Sequence, residues 1–218
     1  MAKTDNKFER RDFLFEIRAE RDEERDSNVI VGRPIVYNSM TDLGAFSEII
    51  QRGALDHTDL TDVRFLVNHD MSRIPLARSR RNNGNSTMQL MPDENGLAIR
   101  VSLDTENNSE AKALYSAVQR GDITGMSFCF ALDSDGDTWE DMDTDHPVRF
   151  IRSISKVIEV SAVSYPAYEA TEIYARSTET LENVRSAMEI AKEQRAKEVD
   201  TSNQLMLEKA KFIFKSKI

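Results

Sequence analysis

Apolar residues recur at every second position along much of this chain, and that period confines it to a fold made of short strands. Successive side chains of an extended chain point to opposite faces. Leu97, Ile99, Val101 and Leu103 therefore predict a strand with one buried face and a partly solvated one. Residues 120–132 predict a glycine-punctuated turn opening into another. Met126, Phe128, Phe130 and Leu132 make one strongly apolar face there, and Ser127, Cys129 and Ala131 make the other. A face of small residues leaves room beside Ser127, either for a neighbouring side chain or for a substrate.

Further strands are predicted at 13–18, 29–37, 46–50, 62–70, 148–154 and 157–163. Pro34 has no N–H to give to a ladder, so the second of these carries a bulge or kink. Residues 87–90 and 97–103 form a hairpin around the Pro92–Gly96 turn. The charged run 21–26 and the acidic stretch 133–147 read as loops. One helix is predicted from Asn108 to about Arg120, stopped by Gly121, with Ala113, Leu114, Ala117 and Val118 facing inward. Beyond Thr178, Leu181, Val184, Met188 and Ala191 recur at helical spacing amid charges. The fold class is thus mainly β (α+β): a closed or partly closed β-barrel ringed by a few helices, with a C-terminal amphipathic helical tail. Residues 1–28 supply an N-terminal strand and charged loop joined to the core. Residues 29–176 form the core, and 177–218 the tail, either processed or used for co-assembly.

Composition narrows the function by exclusion. A net charge of −9 argues against a basic nucleic-acid face. The single cysteine excludes an internal disulfide and a cysteine-ligated zinc. There is no leader-like apolar run after Met1 and no uncharged segment near the roughly 20 residues that span a bilayer. A soluble intracellular protein with no membrane partner is expected. No glycine-rich phosphate loop or HExxH spacing is present, so neither cofactor nor metal is expected.

What remains is an acyl-transfer set. A serine hydroxyl needs an imidazole to take its proton, and the imidazole needs a carboxylate to orient it. Ser127 and His69, at the end of its strand, supply the first two. Asp70 adjoins His69, but neighbours in a strand point apart, which favours Glu159 as the acid. Glu159 shares a face with Val157, Ser161 and Val163, where it pairs either with an imidazole or with Arg149 or Arg152. Cys129 is a second nucleophile on the face of Ser127, though a thiolate would need a nearby cation. It reads as structural, and His57 and His146 read as surface residues.

Five blocks occur in order: 32–39 (Gly-Arg-Pro-Ile-Val-Tyr-Asn-Ser), 46–54 (Phe-Ser-Glu-Ile-Ile-Gln-Arg-Gly-Ala), 66–70 (Leu-Val-Asn-His-Asp), 120–128 (Arg-Gly-Asp-Ile-Thr-Gly-Met-Ser-Phe) and 159–168 (Glu-Val-Ser-Ala-Val-Ser-Tyr-Pro-Ala-Tyr). In these the chain resembles the prohead maturation serine proteases of tailed bacteriophages, over roughly Val29 to Arg176. The resemblance implies a fold related to the herpesvirus assembly protease. It also implies an endopeptidase acting in the host cytoplasm, inside the assembling prohead. There it would cut scaffold or major-capsid-protein extensions, and itself, with self-association a further expectation. It implies His69 and Ser127 as base and nucleophile, with Glu159 carried over as the third member. The chain departs from the family at Cys129, where a small residue, commonly glycine, is usual, and at Ala77, within a Leu-Gly-Arg pattern. Arg78 and its backbone are the expected oxyanion donors. The competing reading is a non-catalytic scaffolding or assembly protein of the same fold, its charged tail serving co-assembly.

Overall fold

β10 (Gly125–Leu132) is the strand around which the other elements assemble. β1 (Glu9–Phe13) pairs antiparallel along one edge, and β13 (Ile154–Val163) pairs antiparallel along the other. β6 (Arg64–Val67) joins β13 in parallel, and β7 (Ala77–Arg78) completes a five-stranded sheet in the order β1-β10-β13-β6-β7. The computed structural model describes residues 8–13, 17–164, 186–197 and Thr201.

Two four-stranded sheets enclose the rest of the core. One has the order β2-β3-β9-β8, from β2 (Ile17–Asp22), β3 (Ser27–Val36), β8 (Met88–Asp93) and β9 (Gly96–Leu103). The other has the order β11-β12-β5-β4, from β4 (Met40–Asp42), β5 (Ser47–Ile50), β11 (Asp137–Glu140) and β12 (Val148–Ile151). Phe65, Met126, Phe128, Phe130, Val157 and Val160 carry the apolar face of the five-stranded sheet into the shared core. Among the described residues the architecture is mainly β, as the alternation predicts, but no barrel closes. Closure needs a ladder between the first and last strands, and each of the three sheets instead ends on its own edges.

Local differences from the sequence reading have local causes. Residues 13–18 do not form one strand: β1 ends at Phe13 and β2 begins at Ile17, in different sheets. β2 runs on to Asp22, because an edge strand can pair its backbone with β3 while its charged side chains stay solvated. Residues 133–147 hold β11, whose Trp139 packs edge-on against Phe46 at 4.7 Å between centroids. Pro34 falls where the β3–β9 register breaks, between Gly32 and Ile35.

α1 (Ser109–Arg120) packs on β2, β3 and β9. The Asn108 side chain accepts from the N–H groups of Glu110 and Ala111, satisfying donors that a helix start leaves unpaired. Gly121 ends the helix in the left-handed region, φ 78°, where a side chain would be strained. Ala111, Leu114 and Val118 are its buried residues, whereas Ala113 is exposed and Ala117 half-buried. Within the predicted tail, residues 186–197 and Thr201 are helical, with Ala191 buried; the rest of it lies outside the described residues. No helix among the described residues is long and apolar enough to cross a membrane.

Candidate active site

β6 stops at Val67, and the two residues after it, Asn68 and His69, take left-handed backbone at φ 51° and 60°. Such conformations cost an L-residue roughly 1–2 kcal/mol, with Asn and His among those that tolerate them. β13 and the residue after it hold the turn. Asn68 N–H donates to Ala162 O, the Asn68 side chain exchanges bonds with Ser164, and His69 N–H donates to Ser161 Oγ at 3.2 Å. Strand alternation therefore does not govern His69. It leaves the face of Phe65 and Val67, and its Nδ1 lies 2.5 Å from Glu159 Oε1.

Glu159 reaches that point through a bulge. Cys129 is opposite Glu159, but the next residue of β10, Phe130, is opposite Val157. The extra residue, Ile158, reverses the alternation, so Val157 turns into the core while Glu159 and Ser161 share the other face. The expectation that Val157 flanks Glu159 is thereby corrected. Neither Arg149 nor Arg152 bonds Glu159; Arg149 goes to Glu9, Glu48 and Asp137. Ser161 Oγ donates to Glu159 Oε2 at 2.6 Å while accepting from His69 N–H. That hydroxyl, which sequence reasoning placed beside Glu159 without a role, ties carboxylate and histidine together.

Ser127 is the register partner of Ser161 on the neighbouring strand, so both side chains project from the same face of the sheet. Nucleophile, base and acid candidates thus come from β10, the turn after β6, and β13, which are consecutive in the sheet order, and the bond that joins two of them is His69 to Glu159. Ser127 is fully buried, however, and its hydroxyl donates to Arg11 O of β1 at 2.8 Å.

The remaining candidates have other engagements. Burial, and then the charge of Glu159, push the Cys129 thiol up to about 11, so it stays protonated at neutral pH. Asp70 accepts from Ser72 and pairs with Arg73. His57 is exposed. His146 makes a second serine contact, Nε2 to Ser47 Oγ at 3.0 Å. Asp42 approaches that same Nε2, at 3.5 Å, and among the described residues no carboxylate bonds Nδ1 to orient the ring as a relay needs. Arg78 forms a two-pronged ion pair with Asp62, and its N–H donates to Thr87 Oγ1. The backbone N–H and the guanidinium of Arg78, the expected oxyanion donors, are both engaged in these bonds.

A recess of about 420 Å³ lies beside the His69 turn, between it and α1. Leu66, Leu76, Leu114 and Ile123 line it, and Arg73 bonds Glu110 at its rim.

The family model of the caudovirus prohead serine protease matches residues 15–187. The chain belongs to that family. No curated protein matches the sequence. Among solved structures, the capsid assembly protease of bacteriophage T4 is similar over 71% of this chain and 98% of its own, at 12% identity and a TM-score of 0.37. At that distance the likeness carries no argument. Membership of the prohead protease family rests on the family model alone, and the model's span includes the His69 turn, β10 and β13.

Proposed function

We propose that this chain is a serine endopeptidase that cleaves scaffold or capsid-protein extensions, and itself, inside the assembling prohead. The observation that carries the proposal is the His69–Glu159 pair on the same sheet face as Ser127. A buried carboxylate 2.5 Å from Nδ1 selects the tautomer that donates there, which makes Nε2 the basic nitrogen. In the reaction Nε2 takes the Ser127 proton as the oxygen attacks the scissile carbonyl. Glu159 stabilises the resulting imidazolium, which then protonates the leaving amine, and water hydrolyses the acyl-enzyme. The apolar recess beside the histidine turn offers a place for a substrate side chain.

The test is chemical. A fluorophosphonate probe reacts only with an activated serine, so incubating the protein with one and mapping the adduct by mass spectrometry is expected to place it on Ser127. The purified protein should also shorten itself over time. An adduct elsewhere, or none on a folded protein, sinks the reading. The non-catalytic assembly protein predicts none.

Ser161 acts through Glu159 and His69, as a positioning residue. Replacing it with Ala leaves a buried carboxylate oxygen without its donor, a loss of about 1–3 kcal/mol. Spent at the transition state, that is a fall of roughly 10- to 100-fold in kcat. KM should hold, because the hydroxyl touches no substrate. A KM rise with kcat unchanged would contradict the role.

A further inference from the structure

The Ser127 hydroxyl has one proton, and it goes to a backbone carbonyl of β1. Three features of β1 belong with that bond. Among the described residues it is the edge strand of its sheet, paired with β10 over five positions from Glu9 opposite Phe130 to Phe13 opposite Met126. It covers Ser127 so that the residue has no exposed surface. It is also anchored from one face. Arg11 binds Glu48 on one side, at 2.5 and 2.6 Å, and on the other Arg10 stands opposite Cys129 in the ladder.

We propose that β1 is an autoinhibitory strand, docked on the β10 edge to keep Ser127 sealed until it is released. The proposal rests on the serine-peptidase reading and adds the regulation of that site. With β1 away, β10 would present a row of unpaired N–H and C=O groups, the kind of edge onto which an extended peptide adds as a strand. β1 and a substrate then compete for one edge. As part of the same chain, β1 holds the advantage of high effective concentration. Docked, it also diverts the serine proton from the imidazole, so the seal acts on access and on activation together.

A cross-strand lock tests this on the full chain. Arg10 and Cys129 are register partners, and Cys129 is the chain's only cysteine. Opposed residues of an antiparallel pair have Cα atoms about 4.5–5.5 Å apart, within disulfide range. The Arg10→Cys variant, oxidised with diamide, is expected to close that bond. Its rate of fluorophosphonate labelling at Ser127 should fall at least about 10-fold below its reduced form and recover with dithiothreitol. Arg10→Ser, which removes the same side chain without gaining a lock, should label at least as fast as the wild type. An unchanged melting temperature on oxidation separates locking from unfolding. Failure of the disulfide to close, or equal labelling of oxidised and reduced forms, overturns the autoinhibitory strand and leaves the peptidase reading standing. No Ser127 adduct in the wild type, the reduced variant or Arg10→Ser overturns the peptidase reading, and this proposal with it.

Discussion

Replacing Ser127 with Ala is expected to lower kcat/KM for peptide cleavage by at least about 10⁴-fold, with self-shortening abolished. Glu159→Gln should fall by a similar factor, roughly 10⁴. The amide keeps the shape of the carboxylate but can present its NH₂ to Nδ1, which favours the tautomer unable to take the serine proton. Residues acting as one relay are not additive. The Ser127→Ala/His69→Ala double variant should therefore be about as slow as the worse single one. Further loss approaching the product of the two would mean independent roles and would refute the relay. Structural damage cannot mimic this result. The Ser127–Arg11 bond is worth about 1–3 kcal/mol of stability if its acceptor is left unpaired, whereas a 10⁴-fold rate loss is about 5.5 kcal/mol at the transition state. Removing the hydroxyl also loosens β1, which on the proposed seal would favour access, the direction opposite to the loss expected. Cleavage assays beside thermal melts of the same samples check both quantities.

The strands were readable where period-two alternation meets a buried face, as in β9 and β10, because one face must stay apolar whatever its partner. The α1 boundaries were readable too, since Asn108 and Gly121 satisfy helix ends by chemistry local to the sequence. The geometry at His69 was not. Alternation places it with Phe65 and Val67, and only the left-handed turn at Asn68 and His69 swings it to Glu159. An Asn-His pair at a strand end is a signal for such a turn, being residue types that accept positive φ. The bulge at Ile158 is another such case: one extra residue changes which neighbours Glu159 has, and alternation counted along a single strand cannot detect it. β1 was least legible. Glu9-Arg10-Arg11-Asp12 precedes the strand expected at 13–18, yet Arg11 is fully buried, because its partner Glu48 arrives from 37 residues away and Arg149 reaches Glu9 from 140. Long-range charge pairing of this kind leaves no periodic trace.

That buried charge cluster is where the fold itself should be most vulnerable. Glu48, 2% exposed, accepts from Arg11 at 2.5 and 2.6 Å and from Arg149 at 3.2 Å. Arg149 stacks over Trp139, Arg11 lies over Phe130, and Glu9 bonds both guanidiniums. Glu48→Gln keeps the side-chain volume but removes the carboxylate that both guanidiniums share besides Glu9, among the described residues. Breaking a buried pair from one side costs about 3–5 kcal/mol. In a chain of this size that lowers the melting temperature by on the order of 10 °C. A surface pair is worth about 0–1 kcal/mol, so Asp26→Asn, which removes the exposed Arg21–Asp26 pair, should barely move it. Equal shifts for the two variants would show that burial adds nothing. Acid should reach the same cluster through Glu9. Burial alone would raise its carboxyl, but Arg11 and Arg149 outweigh that and bring it from the ordinary 4.5 down to about 2. A group whose folded pKa is depressed contributes in full above its unfolded value and loses that contribution as pH falls to the folded one. The Glu9 contribution is therefore expected to be intact at neutral pH and to disappear between about 4.5 and about 2. Comparing wild type with Glu9→Gln across that range isolates it: the two stabilities should converge at the acid end and separate as the pH rises. A gap that stays constant from neutral to strongly acidic pH would show that the Glu9 charge does not anchor β1.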